Sequence, residues 1–194
     1  MLIVIMIIGI LAAMIIMSSS EAVTTAKASN IITNLHTLRK AVLEWYINNR
    51  EKVQPDGRVK IGNESKPVQQ WNDEQLHISE YLSNGNAFNF NQGNYHGLGQ
   101  NTELAKGYYG IYDAGEVPDD TDRYYRRTWY VGYCFQNDED AVKAKVMSRA
   151  QSNGLVFSDQ SDPYDLIKIE LDNSNADSEH QRENTFGSVW LLVF

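Results

Sequence analysis

Residues 1–53 read MLIVIMIIGILAAMIIMSSSEAVTTAKASNIITNLHTLRKAVLEWYINNREKV, with no proline and a single glycine, Gly9. The first seventeen residues carry no charge, and the first charged side chain is Glu21. Further along the pattern changes. Ile31, Leu35, Leu38, Val42 and Trp45 recur at spacings of 4, 3, 4 and 3, with a neighbouring row through Ile32, Leu43 and Tyr46. That period belongs to an amphipathic helix with one face in a core. Nothing breaks the join between the two regions, so the stretch predicts one helix of about 50 residues, roughly 75 Å long. Its first third has no apolar partner of its own and requires lipid or other subunits as cover.

Seventeen residues in a helix reach roughly 25 Å, the short end of a membrane span. Ten of the seventeen are Leu, Ile or Val, and together they favour insertion by roughly 3 to 6 kcal/mol. A cleavable secretory signal is the competing reading, but it calls for a basic region ahead of the apolar run, and no Lys or Arg precedes it here. A plain anchor usually passes into a flexible linker, which this stretch lacks.

The chain has 194 residues, which suits one domain plus an appendage. Three parts are expected: an apolar segment at 1–20, the amphipathic half of the same helix at 21–52, and a globular head at 53–194. The net charge of -8 is unevenly spread. Residues 1–52 hold five basic and three acidic side chains, against chain totals of 17 and 25. The head is therefore strongly acidic and repels phosphate backbones, which argues against nucleic acid as a partner.

In the head, PDG at 55–57 signals a turn, and RVKI at 58–61 reads as a short strand. Trp71, Gln75, Ile78 and Leu82 fall on one face of an expected short helix. GYYGIYD and RRTWYVGYCF read as strands, the second with Trp129, Val131, Tyr133 and Phe135 on one face. NDEDAVKAKVMSRAQSNG predicts a helix with an Asn or Asp cap, acidic residues in its first turn and Asn-Gly at its end. LVF at 155–157 and DLIKIELD at 165–172 are further strands. GSVWLLVF at 187–194 is apolar throughout and predicts a well-covered central strand. A long helix laid across an antiparallel sheet is an α+β solution, with Ile31, Leu35, Leu38, Val42 and Trp45 as the helix-on-sheet contacts. The eight aromatics between Tyr108 and Tyr133 are expected to serve core packing and subunit contacts.

Catalytic signals are absent. His36, His77, His96 and His180 have no ligand spacing, and no P-loop, nucleophile elbow, HExxH or CxxC occurs. Cys134, the single cysteine, sits in an apolar run and reads as core. No enzyme activity and no cofactor are expected. One oxygen-rich loop, LDNSNADSEH, offers Asp172, Asn173, Asn175, Asp177 and Glu179 as a candidate Ca²⁺ set. It lacks the EF-hand glycine and spacing, and the alternative is a solvated acidic loop.

MLIVIMIIGILAAMI, with Gly9, Ile10, Leu11, Ala12 and Ala13 at its centre, closely resembles the N-terminal segment of type IV pilins and secretion-system pseudopilins. The resemblance covers about 20 residues strongly and about 30 more by helical pattern. It implies a pilin-like head on a long helix and a homopolymeric extracellular filament. The filament would pack through Leu2, Ile5, Gly9, Ala12, Ala13 and Ile16. It also implies an inner-membrane precursor, a prepilin peptidase, N-terminal methylation and a dedicated assembly machine. Some major pseudopilins bind calcium in a C-terminal loop, which bears on residues 172–179.

Two positions depart from the family pattern. The family glutamate would fall immediately before Met1, and the family proline would fall at Met17. Without that proline, the helix is expected either to stay continuous or to unwind only around Gly9. The alternatives are a pseudopilin of a type II secretion-like system and, from another class, a monomeric membrane-anchored binding domain.

Overall fold

The computed structural model describes residues 2–55, 57–71, 73–82, 106–117, 126–158 and 187–194, leaving aside the side chains at 2, 13, 15–18, 69, 73, 114–117, 126–128 and 158. Helix α1 runs from Leu2 to Asn48 without a break, through Gly9 and the serines. Thr24, Ser29 and Thr37 each return their hydroxyl to the carbonyl four residues back, so these polar side chains stay within the helix's own hydrogen bonding. The helix ends where the Asn49 N–H bonds to the Trp45 carbonyl and a tight turn follows over Arg50–Lys52. Among the described residues no helix is long and apolar enough to cross a membrane.

After α1 comes a small hairpin of β1 (Val59–Ile61) and β2 (Glu64–Lys66). Gly62 stands in its two-residue turn at φ +61°, the left-handed region that such hairpins require and that glycine adopts without strain. Trp71 then folds back and donates its indole N–H to the Val59 and Lys66 carbonyls, with Lys66 lying over its ring.

The segment that follows corrects one sequence expectation. A single helix through Trp71, Gln75, Ile78 and Leu82 does not form. A turn at Val68–Gln70, the one-turn α2 (Asp73–Leu76) and a turn at Ile78–Tyr81 replace it, broken by His77 at φ 59°. The physical reason is at Leu76. Its carbonyl accepts the indole N–H of Trp45 at 2.5 Å rather than a continuing helical N–H. Trp71, Ile78 and Leu82 are buried, whereas Gln75 is exposed.

Strands β3 (Tyr109–Val117), β4 (Arg126–Cys134), β5 (Leu155–Ser158) and β6 (Ser188–Leu192) form one antiparallel sheet in the order β3-β4-β6-β5. The apolar C-terminal strand thus lies between two others. Mixed helix with antiparallel sheet makes the class α+β. Helix α3 (Asp140–Met147) and the one-turn α4 (Ala150–Asn153) join β4 to β5, and Gly154 stops α4 in the left-handed conformation at φ 63°. The expected Asn or Asp cap on α3 is not used. Glu139 holds the cap position, and its carboxylate turns back to the Gln136 N–H at 2.9 Å.

The core lies between α1 and the sheet. Ile31, Leu35, Leu38, Val42 and Trp45 are all at most 5% exposed, and they join Trp129, Val131, Tyr133, Val189, Leu191 and Val193 in one cluster. Trp45 stacks on Trp129 at 6.2 Å, and Phe194 closes that end against Tyr46 at 4.6 Å. On the other sheet face Tyr112, Tyr130, Cys134 and Trp190 form a second buried cluster. Cys134 is therefore a core residue. The segments at 165–172 and 172–179, read as a strand and as a candidate Ca²⁺ loop, lie outside the described residues.

Candidate assembly surface

The same helix has two chemically opposite ends. From Ala28 onward its apolar row is buried. Ahead of that point the large apolar side chains from Ile3 to Ile8, with Ile10, Leu11 and Met14, are 48% to 74% exposed. Gly9 has no neighbouring atom within 4 Å of where a Cβ would sit, and Ala12 is also exposed. Of the residues expected to pack a filament, Ile5, Gly9 and Ala12 lie on this open stretch, and Leu2, Ala13 and Ile16 belong to the same helix. Contiguous exposed apolar surface of this kind marks an interaction site in a soluble setting.

The base of the head is fastened to α1 by polar contacts that no sequence motif announces. Lys145 on α3 pairs with Glu21 at 3.1 Å, and Arg149 donates to the Ser29 hydroxyl at 2.6 Å. Beside these contacts a shallow groove opens between the two helices. Ser20, Val23, Thr24 and Lys27 line one wall, and Asp138 and Val142 line the other. Lys27 and Asp138 are exposed, and among the described residues neither has an ion-pair or hydrogen-bond partner.

A second polar network sits deeper. Asn34 on α1 donates to the Tyr109 hydroxyl at 3.0 Å, and the Tyr133 hydroxyl donates to Glu139 at 2.9 Å. The two rings lie 4.8 Å apart. Burial pushes the Tyr109 phenol up to about 12, partly opposed by the Asn34 hydrogen bond. Burial and then the Glu139 carboxylate hold the Tyr133 phenol well above the usual range. Both rings stay neutral and act as ties between α1, the sheet and the turn before α3. The tandem Tyr and Gly residues of YYGIY and YVGYC were the available signal, since Tyr109 faces Tyr133 and Gly110 faces Gly132 in the register. Partner identities depended on tertiary placement.

Neither described histidine, His36 or His77, gathers into a site. His36 is exposed, and His77 pairs with Glu80 at 3.3 Å on the surface. His96 and His180 lie outside the described residues. Among the described residues no cluster of His, Cys, Asp and Glu has metal-holding geometry. Comparison with known proteins finds no matching family model, no matching curated protein and no matching solved structure.

Proposed function

We propose that this chain is the structural subunit of an extracellular helical filament of the type IV pilus class and is not an enzyme. In this reading it waits in the membrane as an anchored precursor and then polymerises through its N-terminal helices. The observation that carries the reading is the exposed apolar row from Ile3 to Met14, on a helix that continues unbroken into the core of the head. The helix makes the row rigid with respect to the head, so a surrounding set of identical rows would fix how heads are spaced. Burying one such side chain is worth about 1.5 to 3 kcal/mol, and nine of them are open to a partner.

Moving the helix from lipid into a protein bundle gains little hydrophobic energy, because both surroundings are apolar. Specific packing must decide the outcome. Gly9 and Ala12 allow backbones to approach closely, and Met6 and Met14 adapt to irregular gaps. Repeated head-to-tail contacts with a non-closing rotation give a filament. The resemblance of residues 1–15 to the pilin segment points the same way. Calcium binding at residues 172–179 is part of the proposal only as a feature of the acidic head and not of assembly.

The test is electron microscopy of material sheared from cells, without detergent, for the native chain and for Ala13→Arg. The native chain should give uniform thin filaments, and the variant should give none while its head stays folded. Normal filaments from Ala13→Arg would overturn the reading.

A further inference from the structure

We propose that Asn63, at the tip of the β1–β2 hairpin, is the acceptor of an N-linked oligosaccharide on the exported head. The proposal rests on the extracellular stage of the function proposed above. Asn63, Glu64 and Ser65 make the only Asn-x-Ser/Thr triplet of the chain, which is the acceptor signal for sugar attachment in secreted proteins. The fold puts that triplet where an acceptor has to stand. Gly62 and Asn63 are the two residues of the turn, between Ile61 and its partner Glu64. Both are exposed, and a Cβ on Gly62 would meet nothing within 4 Å. Among the described residues the Asn63 side chain has no hydrogen-bond partner. In contrast, the amide groups of Asn34, Asn49 and Asn153 donate to partners inside the fold. Glu64, the middle residue of the triplet, has Lys66 as its ion-pair partner.

A transferase has to reach around its acceptor, which a strand inside a large sheet would resist. β1 and β2 pair at three positions and form a sheet of their own, apart from the four-stranded one. A two-stranded hairpin is marginal by itself. This one is held at its root, where Val59 is fully buried and the Trp71 indole N–H bonds to the Val59 and Lys66 carbonyls. Nearer the tip, the Ser65 hydroxyl donates to the Gln54 side chain at 2.6 Å. Opening the tip presents the triplet without disturbing the core. The donor is an oligosaccharide joined through its first sugar carbon to a polyprenyl phosphate. The Asn63 Nδ2 bonds to that carbon, and the bond from the carbon to the phosphate oxygen breaks. The phosphate leaves with the electron pair, and Nδ2 gives up one proton to a base of the transferase. Nothing is oxidised or reduced. The Ser65 hydroxyl is the group that the transferase reads beside the amide.

The experiment isolates the full-length protein from its own cells and reads peptides spanning Asn63 by tandem mass spectrometry. The native chain should carry the added mass of an oligosaccharide on Asn63. Asn63→Gln and Ser65→Ala should each lose that mass, and Ser65→Thr should keep it. Asn63 and Ser65 lie outside the core cluster, so the head of every variant stays folded by near-UV circular dichroism. A bare Asn63 in the native chain would overturn the proposal, as would an added sugar that survives Asn63→Gln or Ser65→Ala. Labelling intact cells with a membrane-impermeant amine reagent separates this proposal from the wider reading. Labelled head lysines such as the exposed Lys60, together with a bare Asn63, would overturn the proposal alone. Head lysines shielded from the reagent would overturn the surface location itself, and this proposal with it.

Discussion

Leu38 and Ile7 lie on one helix, and replacing each by alanine should have opposite consequences. Leu38 is fully buried, whereas Ile7 is 52% exposed. Leu38→Ala removes about three methylene equivalents, roughly 2.4 kcal/mol of transfer free energy at about 0.8 kcal/mol each. The unfilled cavity beneath the sheet raises the total toward the usual range of about 2 to 5 kcal/mol. Against a domain stability of about 5 to 15 kcal/mol, that is a large fraction. Ile7 lies outside the core cluster, so with Ile7→Ala the head should lose less than about 0.5 kcal/mol. Its cost should appear in assembly instead. The assay is urea unfolding of the full-length protein in mild detergent, followed by tryptophan fluorescence. Trp45, Trp129 and Trp190 are each at most 1% exposed, so the signal reports the core. Leu38→Ala should shift the midpoint downward at unchanged slope. A loss below about 1 kcal/mol for Leu38→Ala, or above about 1 kcal/mol for Ile7→Ala, would refute the division of the helix into a buried half and an open half.

Other substitutions probe the head. At Gly132 a Cβ would run into the ring of Trp190, which is fully buried and tied to the Ser188 hydroxyl at 2.7 Å. Gly132→Ala should therefore destabilise by about 1 to 3 kcal/mol in the same unfolding assay. Trp45→Phe leaves the Leu76 carbonyl without its indole donor. It should cost about 1 to 3 kcal/mol and speed amide exchange across residues 73–82. The Tyr109 phenol is raised from 10.0 to about 12 in the fold. Its neutral form is the one the fold favours, so its contribution is complete below pH 10 and is lost as pH rises toward 12. An ultraviolet pH titration should show Tyr109 ionising above the ordinary tyrosine range, together with unfolding. Lys145→Ala removes an ion pair with an exposed Glu21. It should cost no more than about 1 kcal/mol, and less in high salt, by urea unfolding.

The helix was legible because its signals are local and redundant. The 4-3-4-3 spacing from Ile31 to Trp45 needs no knowledge of the partner, and those residues are the buried ones. The strands were legible for the same reason, from the runs GYYGIYD, RRTWYVGYCF, LVF and GSVWLLVF, although β3 continues past Asp113 to Val117. What failed depended on contacts distant in sequence. The helix expected across Trp71 to Leu82 looks sound by periodicity. It is broken because an indole from α1, 31 residues earlier, takes the Leu76 carbonyl. The cap of α3 differs because Glu139 is drawn to Tyr133 and the Gln136 N–H together. The groove at the base of the head joins side chains more than 100 residues apart, such as Lys27 and Asp138. Neither residue stands in a pattern of its own. The exposed row from Ile3 to Met14 was readable as apolar, but that it stands outside the core could be seen only in the fold.

The central claim is that this row packs against the same row in neighbouring copies. Helical reconstruction of sheared filaments at side-chain resolution measures that directly. The account predicts apolar helices at the filament axis, with Ile3, Ile7 and Met14 of each subunit in van der Waals contact with neighbouring helices. Filaments held together by their heads, with that row facing solvent or lipid, would contradict it.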